Sequence, residues 1–119
     1  MAALIFAGCG GPPESEVASF REVVDGRNVE VIIEGKIHKV QLCGVKPTES
    51  TAAAIEEMVA TNDEIYVLRT GDLAEIFVPT DSEEEIHVNS ELLLRGKAEL
   101  DEGEVDRCPN GNVMRSAVP

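Results

Sequence analysis

The sequence predicts a mainly β domain with attached helices, built around a five-stranded barrel. Three observations carry that prediction. The segments run strand, strand, strand, helix, strand, strand, helix, an order that suits a barrel better than a parallel α/β sheet. The strand-like segments are short, β-branched and bounded by turn residues. The chain has 119 residues, 43% of them hydrophobic, which suits one domain with a modest core. Aromatics make up only 3% and Trp is absent, so Val, Ile, Leu and Ala must fill that core.

Phe20 to Leu42 opens the barrel. Val29, Val31, Ile32 and Ile33 are β-branched, Glu34-Gly35-Lys36 is a turn signal, and Ile37, Val40 and Leu42 continue beyond it as a hairpin. Pro47-Thr48-Glu49-Ser50 starts a helix that Thr48 or Ser50 can cap, and Thr61-Asn62-Asp63 ends it. Within it, Ala54, Ile55, Met58 and Val59 fall at helical spacing. Ile65 to Leu68 and Leu73 to Val78 form strands around the Thr70-Gly71-Asp72 turn, followed by an acidic turn from Pro79 to Glu85. Asn89 caps a second helix that reaches Arg95 and stops at Gly96, while Glu99 to Asp106 reads as a solvated loop. Asn112 to Ala117 begins a third helix. The expected barrel is antiparallel from about Phe20 to Val88, with helices near Thr51–Thr61 and Asn89–Arg95.

Charge restricts the partners. Asp and Glu number 23 against 10 Lys and Arg, a formal net of −13, which repels a polyanion. A basic protein partner or cations fit that balance better. Cys9, Cys43 and Cys108 form no CxxC pair, and His38 and His87 stand at no zinc-ligand spacing from them. Both His read as half-exposed sheet residues, and no Ser-His-Asp arrangement is legible. No run of about 18 apolar residues suggests a transmembrane helix.

Residues 1–18 read as an N-terminal arm and 19–119 as the domain. The apolar start ending in Phe6-Ala7-Gly8-Cys9 resembles a lipoprotein lipobox, followed by a tether, Gly10 to Glu16. There is no Lys or Arg at the start and the apolar run is short for a signal. Two readings therefore stay open. One is a signal remnant with membrane attachment through a lipidated Cys9 in a bacterial cell envelope. The other is a plain arm on an otherwise cytoplasmic protein. In the first, Cys43 pairs with Cys108 in an oxidising compartment; in the second, Cys43 is a buried thiol and Cys108 an exposed one.

Several motifs together resemble the staphylococcal nuclease (thermonuclease) family. Val24-Asp25-Gly26-Arg27-Asn28-Val29 is similar to its Asp-Gly-Asp-Thr strand. The stretch from Val40 to Glu49 is similar to Arg-Leu-x-Gly-Ile-Asp-Thr-Pro-Glu, and Val88 to Ala98 to the Val-Asn-x-x-Leu-Val-x-x-Gly-x-Ala helix. Cys108-Pro109-Asn110 is similar to the turn before the family's last helix. The resemblance covers roughly Phe20 to Leu100 and implies an OB-fold barrel (α+β) with two to three helices, the last one shortened.

It also implies a chemistry that this chain departs from. In the family, two Asp carboxylates hold calcium, a Glu positions or activates water, and two Arg stabilise the pentacoordinate phosphate. Asp25 and Glu49 match family positions, and Asp25 falls on a supporting one. Arg27 and Lys46 stand where the two ligand Asp belong, and Gln41 and Asp72 where the two Arg belong. Loss of one oxyanion donor typically costs about 3–4 kcal/mol of barrier, and two are replaced here. The expectation is a catalytically inactive binding or scaffold module with a protein partner, weak or no nucleic-acid binding, no cofactor, and the calcium site lost. The alternative is a divergent nuclease acting on DNA or RNA phosphodiesters through other residues. Arg27, Lys46, Asp25 and Glu49 read as four solvated charges, or else as an ion cluster in place of the metal.

Overall fold

A computed structural model describes the backbone of residues 5–7, and residues 14–59, 64–82 and 84–119. Its elements are β1 (Ile5–Ala7), β2 (Glu16–Asp25), β3 (Asn28–Ile33), β4 (Lys36–Leu42), β5 (Val45–Pro47), α1 (Thr51–Val59), β6 (Ile65–Thr70), β7 (Leu73–Pro79), β8 (Glu84–His87), α2 (Val88–Leu94), β9 (Ala98–Leu100), a 3₁₀ turn (Val105–Arg107) and α3 (Gly111–Ala117). Cys9 and the Thr61-Asn62-Asp63 helix stop lie outside the described residues.

Strands β2, β3, β4, β7 and β6 close on one another as a five-stranded, OB-like barrel. The alternation in β3 explains its place. Val29, Val31 and Ile33 point inward at 0%, 0% and 4% exposure, while Asn28, Glu30 and Ile32 face outward. Burying each such side chain is worth about 1.5–3 kcal/mol. The β3–β4 connection is the two residues Glu34 and Gly35, both at positive φ (52° and 79°). That is the backbone of a tight hairpin turn whose twist matches the strands. Register shifts between Phe20 and Glu22, and between Val23 and Asp25, mark irregularities that let the long β2 bend around the barrel.

Closure corrects the expectation of a wholly antiparallel barrel. β4 meets β7 in parallel, Gln41 opposite Leu73 and Leu42 opposite Ala74. The reason is topological: α1 carries the chain from the end of β4 to the far side before β6 and β7 return, so β7 reaches β4 running in the same direction. The first barrel strand begins at Glu16, so Glu16–Ala18, assigned by sequence to the arm, pair with β6.

β7 is buried at all of its residues from Leu73 to Val78, because the barrel lies on one side and α2 on the other. Helix α1 buries Ala54, Ile55, Met58 and Val59, as their spacing predicts. Thr51 Oγ1 accepts from the Thr48 amide (2.8 Å) and donates to the Lys97 carbonyl (2.6 Å), fastening the helix start to the chain beyond α2.

Asn89 does not cap α2. The helix starts at Val88 with His87 at the cap position, and Asn89 is buried inside the first turn. Its Oδ1 accepts from the Ile76 amide (3.1 Å) and its Nδ2 donates to the carbonyls of Cys43 (3.0 Å) and Ala74 (3.1 Å). Gly96 does stop the helix, at φ 69°, with its amide donating to Leu93 and that of Lys97 to Leu92.

The stretch from Glu99 to Asp106 is likewise not a solvated loop throughout. β9 pairs with β5, Val105 is fully buried, and Cys108 is disulfide-bonded to Cys43. Burial of both cysteines, at 1% and 6% exposure, replaces the alternative of an exposed Cys108. Glu85, placed by sequence in an acidic turn, lies in β8 at 2% exposure.

Candidate functional site

The β6–β7 turn, the end of β4 and the C-terminal segment enclose a cleft of about 460 Å³. Gln41, Thr70, Gly71, Asp72, Leu73, Glu104 and Arg107 line it. Gly71 sits at φ 63° in the turn, where a residue without Cβ avoids strain, and this turn presents Asp72 to the cleft. The parallel β4–β7 pairing sets the opposite wall, with the Gln41 amide donating to the Asp72 carbonyl at 3.1 Å.

Behind Gln41 lies Arg27, in the β2–β3 turn. Its Nη1 donates to Glu104 Oε1 (2.8 Å) and to the Val45 carbonyl (2.9 Å), with Asp101 Oδ2 4.0 Å away. The Gln41 amide, with its oxygen toward Arg27, accepts from Nε at 3.0 Å and from Nη2. Glu104 Oε1 also accepts from the Gly44 amide at 2.8 Å. The Arg27 side chain is 18% exposed and Glu104 12%, so the sequence expectation of a solvated charge fails here. The physical reason is that the β2–β3 turn points its guanidinium at carbonyls left open where β4 ends, and Glu104 neutralises it.

The remaining site residues lie apart from the cleft wall. Asp25 is exposed and accepts from Asn28 Nδ2 at 2.6 Å. Lys46 is exposed on β5, in register with Glu99, and Glu49 is exposed before α1. Gln41 and Asp72 therefore share the cleft, Arg27 backs it, and Asp25, Lys46 and Glu49 do not line it. Among the described residues, no three His, Cys, Asp or Glu side chains group as a metal-holding set. Cys9 lies outside the described residues.

A second polar constellation is one that sequence reasoning missed. His87 is fully buried, not half-exposed, and stacks on Phe77 with ring centroids 4.8 Å apart. Its Nε2 lies 2.7 Å from Glu75 Oε1 and its Nδ1 2.6 Å from Ser90 Oγ. Asn110 donates to the same carboxylate through its backbone amide (3.0 Å) and Nδ2 (2.8 Å). Burial alone pushes the Glu75 carboxyl up, but hydrogen bonding and charge from His87, together with the Asn110 bonds, outweigh it and hold the pKa below the ordinary value.

Ser90, His87 and Glu75 thus contact in the order of a nucleophile, base and orienting carboxylate, yet all three are 0% exposed. A nucleophile must meet its substrate, so this arrangement works as a clamp, joining β7, the β8–α2 junction and the start of α3. One sequence signal could have found it: Glu75 is the lone charge within the apolar run Leu73 to Val78, and such a charge needs a buried partner. His38, by contrast, is half-buried as expected, with its Nδ1 3.2 Å from Arg69 Nη1.

No protein-family model matches the chain, and no curated protein matches it.

Proposed function

We propose that this chain is a staphylococcal-nuclease-like barrel that does not hydrolyse phosphodiesters and acts as a binding or scaffold module, with a protein partner seated in the cleft. The observation that carries this reading is the use made of Arg27. Its guanidinium is engaged by Glu104, Gln41 and a backbone carbonyl, at the position where the family resemblance calls for a metal-ligand carboxylate. Gln41 and Asp72 line the cleft at the two positions of the family's Arg. These residues do not fit a calcium ion, which wants several oxygen ligands rather than cations beside it.

A protein partner is favoured over nucleic acid by the net charge of −13 and by the aromatics. Tyr66 and Phe77 are buried and Phe20 is half-buried, which argues against the stacking platforms that single-stranded nucleic acid uses on such barrels. The cleft offers Asp72, Gln41 and the exposed Arg107 as polar contacts for a protein surface. Attachment to a membrane through Cys9 belongs to the same reading, and the intact mass of the protein from its native host would reveal an acyl modification.

Affinity capture tests the proposal. A partner retained by the wild type should be lost from an Asp72→Arg, Arg107→Glu variant of unchanged melting temperature. Equal capture by the wild type and the variant removes the cleft from the reading. Calcium and single-stranded DNA should leave the thermal midpoint in place, whereas a ligand at a hundred times its Kd adds about 2.7 kcal/mol. Cleavage of DNA or RNA that survives Glu49→Ala would favour the divergent nuclease acting through other residues instead.

A further inference from the structure

β8 stands outside the closed barrel, with β7 on one edge and β1 on the other. A bare strand edge exposes backbone N–H and C=O groups that pair readily with another strand. Here Ile5–Ala7 covers it in antiparallel register, Ile5 opposite Ile86, Phe6 opposite Glu85 and Ala7 opposite Glu84. Among the described strands, β1 pairs with β8 alone, so nothing else in the sheet holds it.

Gly8 to Ser15 connects β1 to β2. Fully extended, that length of chain reaches at most ~26–29 Å. The shortest dimension of the molecule is 24 Å. The connection is therefore long enough to deliver the same strand to a neighbouring molecule.

We infer that the outer edge of β8 is a strand-exchange site whose occupant in trans is the Ile5–Ala7 segment of a second copy of this chain. Reciprocal exchange fills both edges with the same backbone pairing and closes as a two-fold dimer. The contacts made in trans repeat those made in cis. The balance therefore depends on the effective concentration of the chain's own arm, which is of millimolar order for a short connection. Exchange is minor at micromolar protein and substantial near millimolar.

Crosslinking full-length chains tests this, on a Cys9→Ser background that removes the competing thiol. Facing residues of an antiparallel pair stand ~4.5–5.5 Å apart at Cα, within disulfide reach. An Ala7→Cys chain and a differently tagged Glu84→Cys chain are mixed and gently oxidised over ~10 μM to ~1 mM, a range that brackets the expected midpoint. The mixed-tag dimer should rise with concentration and exceed, by about tenfold or more, that formed with Glu34→Cys, whose residue lies at the exposed β3–β4 turn. A yield equal to that control overturns the inference. So does failure of an Ala7→Cys, Glu84→Cys double variant to close within one chain, because the arm would then not sit on β8. Native mass spectrometry of the unmodified chain gives an independent measure. Its dimer should grow toward millimolar protein and fall in a Phe6→Pro, Ala7→Pro variant, because adjacent strand residues point their N–H groups to opposite edges and one of the two must face β8; a dimer unchanged by that double substitution refutes the exchange.

Discussion

Replacing Asn89 offers a direct measure of what holds the barrel closed. Its side chain makes three hydrogen bonds, to the Ile76 amide and to the carbonyls of Cys43 and Ala74, at 0% exposure. It thereby joins β7 to the residue that follows β4, where the parallel pairing is only two residues long. Asn89→Ala removes all three. The Ala74 carbonyl keeps the bond from the Cys43 amide at 2.8 Å, but the Ile76 amide loses its Asn89 acceptor. At about 1 kcal/mol per bond, plus about 1–3 for a buried group left without a partner, the loss should be about 4–6 kcal/mol.

Asn89→Asp makes the sharper case, because it preserves shape. Its carboxylate can still accept from Ile76, but its other oxygen faces two carbonyl oxygens inside the protein. Burial and those acceptors disfavour the charged form, raising the pKa of the introduced acid in the folded state. A group with a raised folded pKa contributes most at low pH and least above that pKa. Asn89→Asp should therefore be at least as unstable as Asn89→Ala at pH 7 and recover part of the loss near pH 5. Urea unfolding followed by far-UV circular dichroism, with the disulfide intact, measures both. A loss below about 1 kcal/mol for Asn89→Ala, or an Asn89→Asp variant as stable as the wild type at pH 7, would refute the account.

Three other outcomes are expected. Reducing the Cys43–Cys108 bridge, which spans 65 residues, should cost about 4 kcal/mol by the chain-entropy relation, read from urea midpoints with and without reductant. The Glu75 carboxyl has a lowered folded pKa, so its contribution is present above the unfolded value and lost as pH falls through the folded one; the stability gap between wild type and Glu75→Gln should narrow from pH 7 to pH 3, and a constant gap would contradict it. Gly44→Ala should cost clearly more than Gly71→Ala, which carries only the left-handed backbone penalty of about 1–2 kcal/mol. Both sit at positive φ, but a Cβ on Gly44 would lie 2.5 Å from Met114 Cε and 3.0 Å from Cys108 Sγ, and one on Gly71 would meet nothing within 4 Å; equal melting temperatures would show that the C-terminal segment gives way.

Element identity was legible wherever one local pattern governed a segment. The alternation of Val29, Val31 and Ile33 marks a strand, the spacing of Ala54, Ile55, Met58 and Val59 marks α1, and Gly96 ends α2. The order of those elements was enough to name a five-stranded barrel. The parallel β4–β7 contact was not legible, because strand direction follows from the path of the whole chain around the barrel.

Polar residues divided along the same line. Asp25, Lys46 and Glu49 are exposed, as an unpaired charged residue is by default. Arg27, Glu85, His87, Asn89 and Glu104 are not, and local patterns misplaced them. The sequence by itself determined the five barrel strands and the helices, since backbone preference and apolar periodicity act over a few neighbouring residues; the short strands β5, β8 and β9, which lack such a pattern, were not legible. Only the tertiary structure decided which polar side chains are drawn inside. Taking a charge or amide out of water is favourable only beside a matching donor or acceptor. Here those partners come from far along the chain: Glu104 for Arg27, Asn110 for Glu75, and the Cys43 carbonyl for Asn89.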